Sequence, residues 1–150
     1  MSPPESWFES AVAESWSQAV MAASVRYAEV RDQVVKALKS ANPEVRSAAI
    51  ATVNEANDKL AHDLVVRLAN DPDTQVREEV MEYIEEFPQE SDVGILLGSL
   101  KAGESLYLAS SALRKILGNV GPLLDDEEAD TRANAVAAWE EAVRFYLSDV

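Results

Sequence analysis

The chain has 150 residues, of which 13 are Lys or Arg and 27 are Asp or Glu, so its formal net charge is −14. A surface this acidic repels nucleic acid and anionic membranes and attracts basic proteins. The sequence contains no cysteine, which excludes disulfides and cysteine-ligated zinc. No apolar run approaches the roughly 20 residues that cross a bilayer, and the N-terminus does not resemble a secretory signal. We therefore expect a cytoplasmic protein.

The N-terminal part is predicted to be helical. Residues 5–40 contain neither glycine nor proline, and this stretch is too long for one ordinary globular helix. We place a break near Ala22–Ser24. The segment before it, residues 1–23, is predicted to form one amphipathic capping helix with the apolar residues Trp7, Phe8, Val12 and Trp16.

Three helix pairs are predicted over residues 24–118 from apolar residues at the 3.6-residue spacing. The first pair contains Val30, Val34, Val35 and Leu38, then Val45, Ile50 and Val53. The second contains Leu60, Leu64, Val65 and Leu68, then Val76, Val80, Ile84 and Phe87. The third contains Val93–Leu100, then Leu106, Leu113, Ile116 and Leu117. Asn42 and Asp71 are expected to cap the second helices of the first two pairs, each with proline in the first turn.

The third and fourth pairs depart from this pattern. Gly94 and Gly98 interrupt the first helix of the third pair and are expected to allow close helix packing, and Gly118 is expected to end its second helix. Residues 119–150 predict an irregular pair, whose long last helix carries Ala135, Val136, Trp139, Val143 and Tyr146. Alternation typical of strands is absent, so we expect an all-α fold in a single domain over residues 1–150.

A short phrase recurs at the start of the second helices. It reads Asn42-Pro43-Glu44-Val45-Arg46, then Asp71-Pro72-Asp73-Thr74-Gln75-Val76-Arg77, with weaker copies at Gly103–Tyr107 and at Asp130-Thr131-Arg132. A period near thirty residues is typical of stacked helical repeats. The phrase and the apolar helix before it resemble a HEAT repeat of the bacterial HEAT-like class.

The resemblance implies a right-handed α-solenoid of about four to five antiparallel helix pairs, with the second helices lining a concave side. It also implies that Arg46, Arg77 and Arg132 are structural and reach toward an aspartate of a neighbouring repeat. Tyr107 stands where the third copy should have arginine. The resemblance says little about function, because this architecture serves many unrelated tasks.

The charge is concentrated in one part of the chain. Residues 69–100 include nine acidic residues and one basic residue, a net charge of −8, whereas residues 36–68 have a net charge of +1. Glutamates at helical spacing repel one another, and the only basic residue nearby is Arg77. We predict a partner-binding surface at Glu78, Glu79, Glu82, Glu85, Glu86, Tyr107, Glu140 and Glu141. A solvated helix face is the alternative reading.

The other candidate sites have weaker support for a function. The run Asp125–Asp130 could bind a basic segment or a divalent cation, although helix capping and solvation explain it as well. Asp71, Asp73, Gln75 and Glu82 match part of a calcium loop, but Val76 replaces its glycine. His62 is the only histidine, which excludes a multi-histidine metal site. Trp7, Trp16 and Trp139 are expected in the core, while Tyr83 and Tyr107 are expected to contact a partner.

These observations predict a non-enzymatic protein-binding module without a cofactor or a metal. The most specific interpretation is an immunity or inhibitor protein that neutralises a basic toxin, such as a nuclease, through an acidic concave surface. One alternative is a regulatory or assembly scaffold. Another is a HEAT-like accessory protein or lyase that binds a small molecule such as a tetrapyrrole. Direct binding of nucleic acid is not expected, because the charge has the wrong sign.

Overall fold

The structure is a computed structural model that describes residues 3–125 and 132–148. These residues form α-helices and two short 3₁₀ turns, and none of them lies in a strand, which confirms the predicted all-α fold. The nine helices among them are α1 (Trp7–Glu14), α2 (Trp16–Val25), α3 (Tyr27–Ala37), α4 (Pro43–Glu55), α5 (His62–Val66), α6 (Thr74–Glu86), α7 (Val93–Ala102), α8 (Leu106–Leu117) and α9 (Arg132–Ser148).

The described chain divides into two compact units, Met1–Tyr83 and Ile84–Val150, here called unit 1 and unit 2. In unit 1, α1, α2 and α3 pack on one another and on α4. In unit 2, α7 packs against both α8 and α9. Each unit has buried apolar residues of its own, including Ile50 and Val53 in unit 1 and Leu96 and Leu113 in unit 2.

The N-terminal segment differs from the single capping helix that the sequence predicts. It contains two helices, because Ser15 has an extended backbone and its side chain accepts a hydrogen bond from the Gln18 amide (3.3 Å). A second break lies at Arg26 rather than near Ala22–Ser24. The pattern Ser-x-x-Gln at positions 15–18 is a known helix-start signal and indicates the first break.

Helix starts follow the predicted chemistry in one repeat and depart from it in the next. Asn42 caps α4 by accepting the Glu44 amide (3.0 Å), with Pro43 in the first turn, as predicted. Asp71 does not cap α6. Instead, Asp73 accepts the Val76 amide (3.1 Å), and α6 begins two residues later than expected.

The first helix of the second pair is shorter than its apolar pattern predicts. Asp58 accepts the Leu60 amide (3.2 Å) and starts a 3₁₀ turn over Lys59–Ala61, so α5 begins only at His62. As a result Leu60 is 87% exposed instead of lying in the core. The apolar spacing alone could not show this, because Leu60 is in register with Leu64.

A buried ion pair connects consecutive repeats in unit 1. The guanidinium of Arg46, on α4, donates from Nε and Nη2 to the two carboxylate oxygens of Asp71, each at 2.9 Å. The two side chains are only 14% and 5% exposed. Burial raises the pKa of Asp71, but the hydrogen bonds from Arg46 and from the Asp73 amide outweigh it and hold the pKa below its usual value. This pair confirms the role that the repeat resemblance implies for Arg46.

A second carboxylate repeats this arrangement one helix earlier. Asp58 accepts hydrogen bonds from the Tyr27 hydroxyl (2.5 Å) and from Arg31 Nε (2.9 Å), both on α3. Its backbone carbonyl accepts a bond from the Tyr83 hydroxyl (2.7 Å). Burial, and then the bond to Asp58, raises the pKa of Tyr27. The loop before α5 is therefore held by side chains from α3 and α6.

In unit 2, glycines act at turns rather than within helices. Gly103 ends α7 with a left-handed backbone, and the guanidinium of Arg132 lies against it. Gly118 ends α8, as predicted. Gly94 and Gly98 are exposed, and a side chain added to either would meet nothing within 4 Å, so the expectation that they allow close packing is wrong.

The buried indole of Trp139 fixes the segment before α9. Trp139 is 0% exposed, and its Nε1 donates to the Pro122 carbonyl (2.7 Å). Gly121 lies flat on the same ring, since a Cβ there would stand 2.5 Å from ring atoms. The core position predicted for Trp139 is thus confirmed.

Replacing Arg46 should test the inter-repeat ion pair. We expect Arg46→Ala to lower the free energy of unfolding by about 3 kcal/mol, because it leaves the buried Asp71 carboxylate without its cation. Arg26→Ala is the matched control, since the Arg26–Glu29 pair has side chains 40% and 52% exposed and should contribute less than about 1 kcal/mol. Urea unfolding measures both, and equal losses would contradict the role given to Arg46.

Two glycine substitutions should have opposite effects. Gly121→Ala places a methyl group against the buried Trp139 ring and should destabilise the protein by about 1–3 kcal/mol. Gly94→Ala, in an exposed part of α7, should stabilise it by about 0.5–1 kcal/mol through the higher helix propensity of alanine. Thermal unfolding compares the two, and a neutral Gly121→Ala would show that the ring can move.

Candidate functional site

Three glutamates of α6 form the acidic face of unit 1: Glu78, Glu79 and Glu82. Glu78 and Glu82 are one helical turn apart and exposed, and Glu79 is half-buried between them along the chain. We call this set the acidic face. It lies on the second helix of its pair, where the sequence predicts the partner-binding surface.

The Glu79 carboxyl reports the electrostatic state of the acidic face. Burial raises the pKa of Glu79 most, and the negative charges of Glu82 and Glu78 raise it further, to about 7. At neutral pH this carboxyl is therefore partly protonated. A cation brought to this surface would lower the pKa of Glu79. The carboxyl would then ionise and form an ion pair with the cation.

Glu85 and Glu86, at the end of α6, belong to unit 2 and differ from each other. Glu85 accepts hydrogen bonds from Ser111 Oγ (2.9 Å) and forms an ion pair with Lys115 Nζ (2.8 Å), whereas Glu86 is exposed. From the sequence, Arg77 is expected to be the only basic residue near these glutamates. This expectation is wrong, because Lys115 contacts Glu85. The charge of Glu85 is already compensated inside unit 2, so it is a weak candidate for partner binding.

The remaining predicted contact residues of unit 2 are on two helices. Tyr107 is 50% exposed on α8, one turn before Ser111. Glu140 on α9 lies 3.8 Å from Lys101 Nζ on α7, and Glu141 is exposed. These residues belong to unit 2, whereas Glu78, Glu79 and Glu82 belong to unit 1, and their part in binding stays a prediction.

Tyr83 is not a contact residue, contrary to the sequence-based expectation. It is 0% exposed, and its ring packs 6.1 Å from the ring of His62. His62 is itself 3% exposed and therefore packs inside unit 1. The hydroxyl that suggested a binding role for Tyr83 is used inside unit 1, where it bonds the Asp58 carbonyl.

The sequence suggests two candidate metal sites, the partial calcium loop that begins at Asp71 and the acidic run Asp125–Asp130. The structure describes the first of them in full. Both carboxylate oxygens of Asp71 are bonded to Arg46, so the partial calcium-loop match serves the inter-repeat contact instead. Residues 126–130 of the acidic run lie outside the described residues. Among residues 3–125 and 132–148, no group of three His, Asp or Glu side chains could hold a metal ion, and no helix is long and apolar enough to span a membrane.

One apolar cavity lies in unit 2, between the end of α8 and the face of α9. Its volume is about 530 Å³, within the range of small-molecule sites. Its lining residues include Leu117, Val120, Glu141, Phe145 and Tyr146. Phe145 is 70% exposed. Sequence reasoning missed this cavity, since Phe145 does not belong to the apolar stripe that defines α9.

The pKa of Glu79 predicts a pH dependence of stability. The folded pKa of about 7 exceeds the ordinary value of 4.5, so the free energy of unfolding should fall as the pH rises from 4.5 to 7. Glu79→Gln should remove this fall. Allowing for solvent screening, we expect the variant to be more stable by about 1 kcal/mol at pH 8 and unchanged at pH 4.5. The exposed control Glu55→Gln should change neither value, and identical pH profiles of Glu79→Gln and the wild type would refute the assignment.

Comparison with known proteins places the chain in a family. A family model of HEAT repeats matches residues 31–116, more than half of the chain. The comparisons with curated proteins and with solved structures gave no match. HEAT repeats generally mediate protein–protein interaction and are typically non-enzymatic scaffolds. The helix pairs from α3 to α8 and the Arg46–Asp71 contact agree with this match, and the chain belongs to the HEAT-repeat family.

Proposed function

We propose that this protein is a non-enzymatic protein-binding module that captures a basic partner on the acidic face of α6. The observation that carries the proposal is the half-buried Glu79 beside the exposed Glu78 and Glu82. Burial and the two neighbouring negative charges make ionisation of Glu79 costly. A cationic partner would relieve that cost on binding.

The most specific form of the proposal is an immunity or inhibitor protein that neutralises a basic toxin, such as a nuclease. A net charge of −14 speeds the approach of a cationic protein and keeps nucleic acid away. An inhibitor that competes with a polyanion for the same toxin surface needs this sign of charge. The family supports protein binding in general, and we propose the basic toxin as the specific partner.

A second candidate function is supported by the apolar cavity of unit 2. A cavity of about 530 Å³ with Phe145, Tyr146 and Glu141 in its lining would suit an apolar small molecule with a polar end. This observation keeps the accessory or lyase alternative open. Incubation with linear tetrapyrroles, followed by an absorbance scan, tests it, because a bound chromophore changes its spectrum.

Charge reversal on the acidic face should abolish partner capture. The wild type and Glu78→Lys/Glu82→Lys are immobilised and exposed to lysate of the source cell at low and high salt. We expect a basic protein retained by the wild type at low salt, released near 1 M salt, and retained about tenfold less by the variant. Inhibition of that protein's toxicity on co-expression with the wild type, but not with the variant, would establish the inhibitor role.

The matched control is Glu14→Lys/Glu55→Lys, which makes the same change of charge at exposed residues ending α1 and α4. It should retain the partner at nearly the wild-type level. If both double variants lose the partner equally, only net charge matters and the acidic face is not the site. If neither loses it, the scaffold alternative with a neutral partner is favoured.

A further inference from the structure

A second cavity lies in unit 1, between the end of α3 and α5. Its volume is about 270 Å³. Its apolar wall is formed by Val35, Leu38, Leu64 and Leu68. Small-molecule sites usually enclose about 300–1,000 Å³, so this cavity has room for one large side chain rather than for a cofactor.

The rest of the lining is basic, in a protein that is otherwise strongly acidic. Lys36, Lys39 and Arg67 are exposed around the cavity, and no carboxylate lines it. None of these three forms an ion pair with a described residue, whereas Arg31 and Arg46 each bind a carboxylate. Three unpaired cations around one apolar cavity are unexpected in a chain with 27 acidic residues.

Helix capping explains only part of this charge. Lys36 is in the last turn of α3, and Arg67 directly follows α5, so both interact favourably with helix C-termini. Each terminus is equivalent to roughly half a negative charge, and two termini therefore offset about one of the three cations. The lysines also border a neighbouring cavity that contains Glu5 and Glu9, without an ion pair to either. The charged residues in the lining itself, Lys36, Lys39 and Arg67, are all basic.

The net charge of the chain restricts the ligand further. A protein of charge −14 repels a long polyanion such as nucleic acid far more strongly than a short segment with two or three carboxylates, which local basic residues can bind. The apolar wall requires a ligand with an apolar group as well. An acidic peptide with one large apolar side chain meets both conditions.

We propose that this cavity binds an acidic peptide segment of a partner protein. The apolar side chain of the peptide fills the space between Leu38, Leu64 and Leu68, and its flanking carboxylates bind Lys39 and Arg67. This surface is separate from the acidic face and has the opposite charge. The protein thus has one surface for a basic partner and another for an acidic one, and the second does not depend on the first.

A displayed library of random 12-residue peptides tests the proposal. Peptides are selected on the immobilised full chain, after removal of those that bind the support alone. We expect enrichment of peptides in which at least two Asp or Glu residues flank a large apolar residue. In fluorescence polarisation with a labelled enriched peptide, Lys39→Glu and Arg67→Glu should weaken binding about tenfold or more, as for a lost charge-assisted contact. Replacing the apolar residue of the peptide by serine should weaken binding similarly.

Arg144→Glu is the matched control, because Arg144 is exposed on α9 in unit 2 and the change in charge is the same. It should bind the peptide like the wild type, and circular dichroism should show that all three variants fold. Failure to enrich any peptide, enrichment of basic or neutral peptides, or equal binding by Arg67→Glu would overturn the proposal. Competition by laurate below the concentrations at which any peptide competes would assign the cavity to a fatty acid and would also overturn it.

Discussion

The buried contact between Arg46 and Asp71 is the constraint on which the repeat architecture of unit 1 depends. A helix pair has an apolar face that must be covered, but apolar contacts alone allow neighbouring pairs to slide. A bidentate bond between a guanidinium and a carboxylate has a fixed geometry, and its burial makes any displacement costly. Asp58 and Arg31 repeat the device one helix earlier, so two successive loops are tied to the preceding pair.

The carboxylates of this chain therefore have two different roles. Asp58 and Asp71 are buried in loops and receive the hydrogen bonds of arginines, so their charge stabilises the fold and is not displayed. Glu78 and Glu82 lie on the surface of α6 beside Glu79, whose pKa is raised first by burial and then by their negative charges. Net charge alone does not separate these roles. The two roles differ because the loops bury Asp58 and Asp71, whereas α6 exposes Glu78 and Glu82. This difference supports a binding function for the acidic face.

Much of the fold could be predicted from the sequence, because helix pairs of this kind are encoded by local signals. The cap at Asn42, the end of α8 at Gly118 and the cores of α4 and α6 all follow from short patterns.

The wrong predictions arose where one residue type has two uses. Asp71 has the chemistry of a helix cap and of an ion-pair partner, and only the position of Arg46 in space decides between them. Tyr83 likewise has a hydroxyl that suits a binding surface, but this hydroxyl donates to the Asp58 carbonyl and the side chain is buried. The candidate site was predictable as a set of glutamates on one helix, whereas Lys115 beside Glu85 and the cationic cavity at Arg67 depend on residues distant in sequence.

The distribution of aromatic residues gives the protein its own optical probes. Of its three tryptophans, Trp7 and Trp16 belong to unit 1, and Trp139, sealed against Gly121, belongs to unit 2. Indole emission shifts to longer wavelength when water reaches the ring. A chain with phenylalanine at positions 7 and 16 would therefore emit from unit 2 alone, while circular dichroism reports on all helices together. Comparing the two signals during unfolding would reveal whether the units melt as one cooperative body or in sequence.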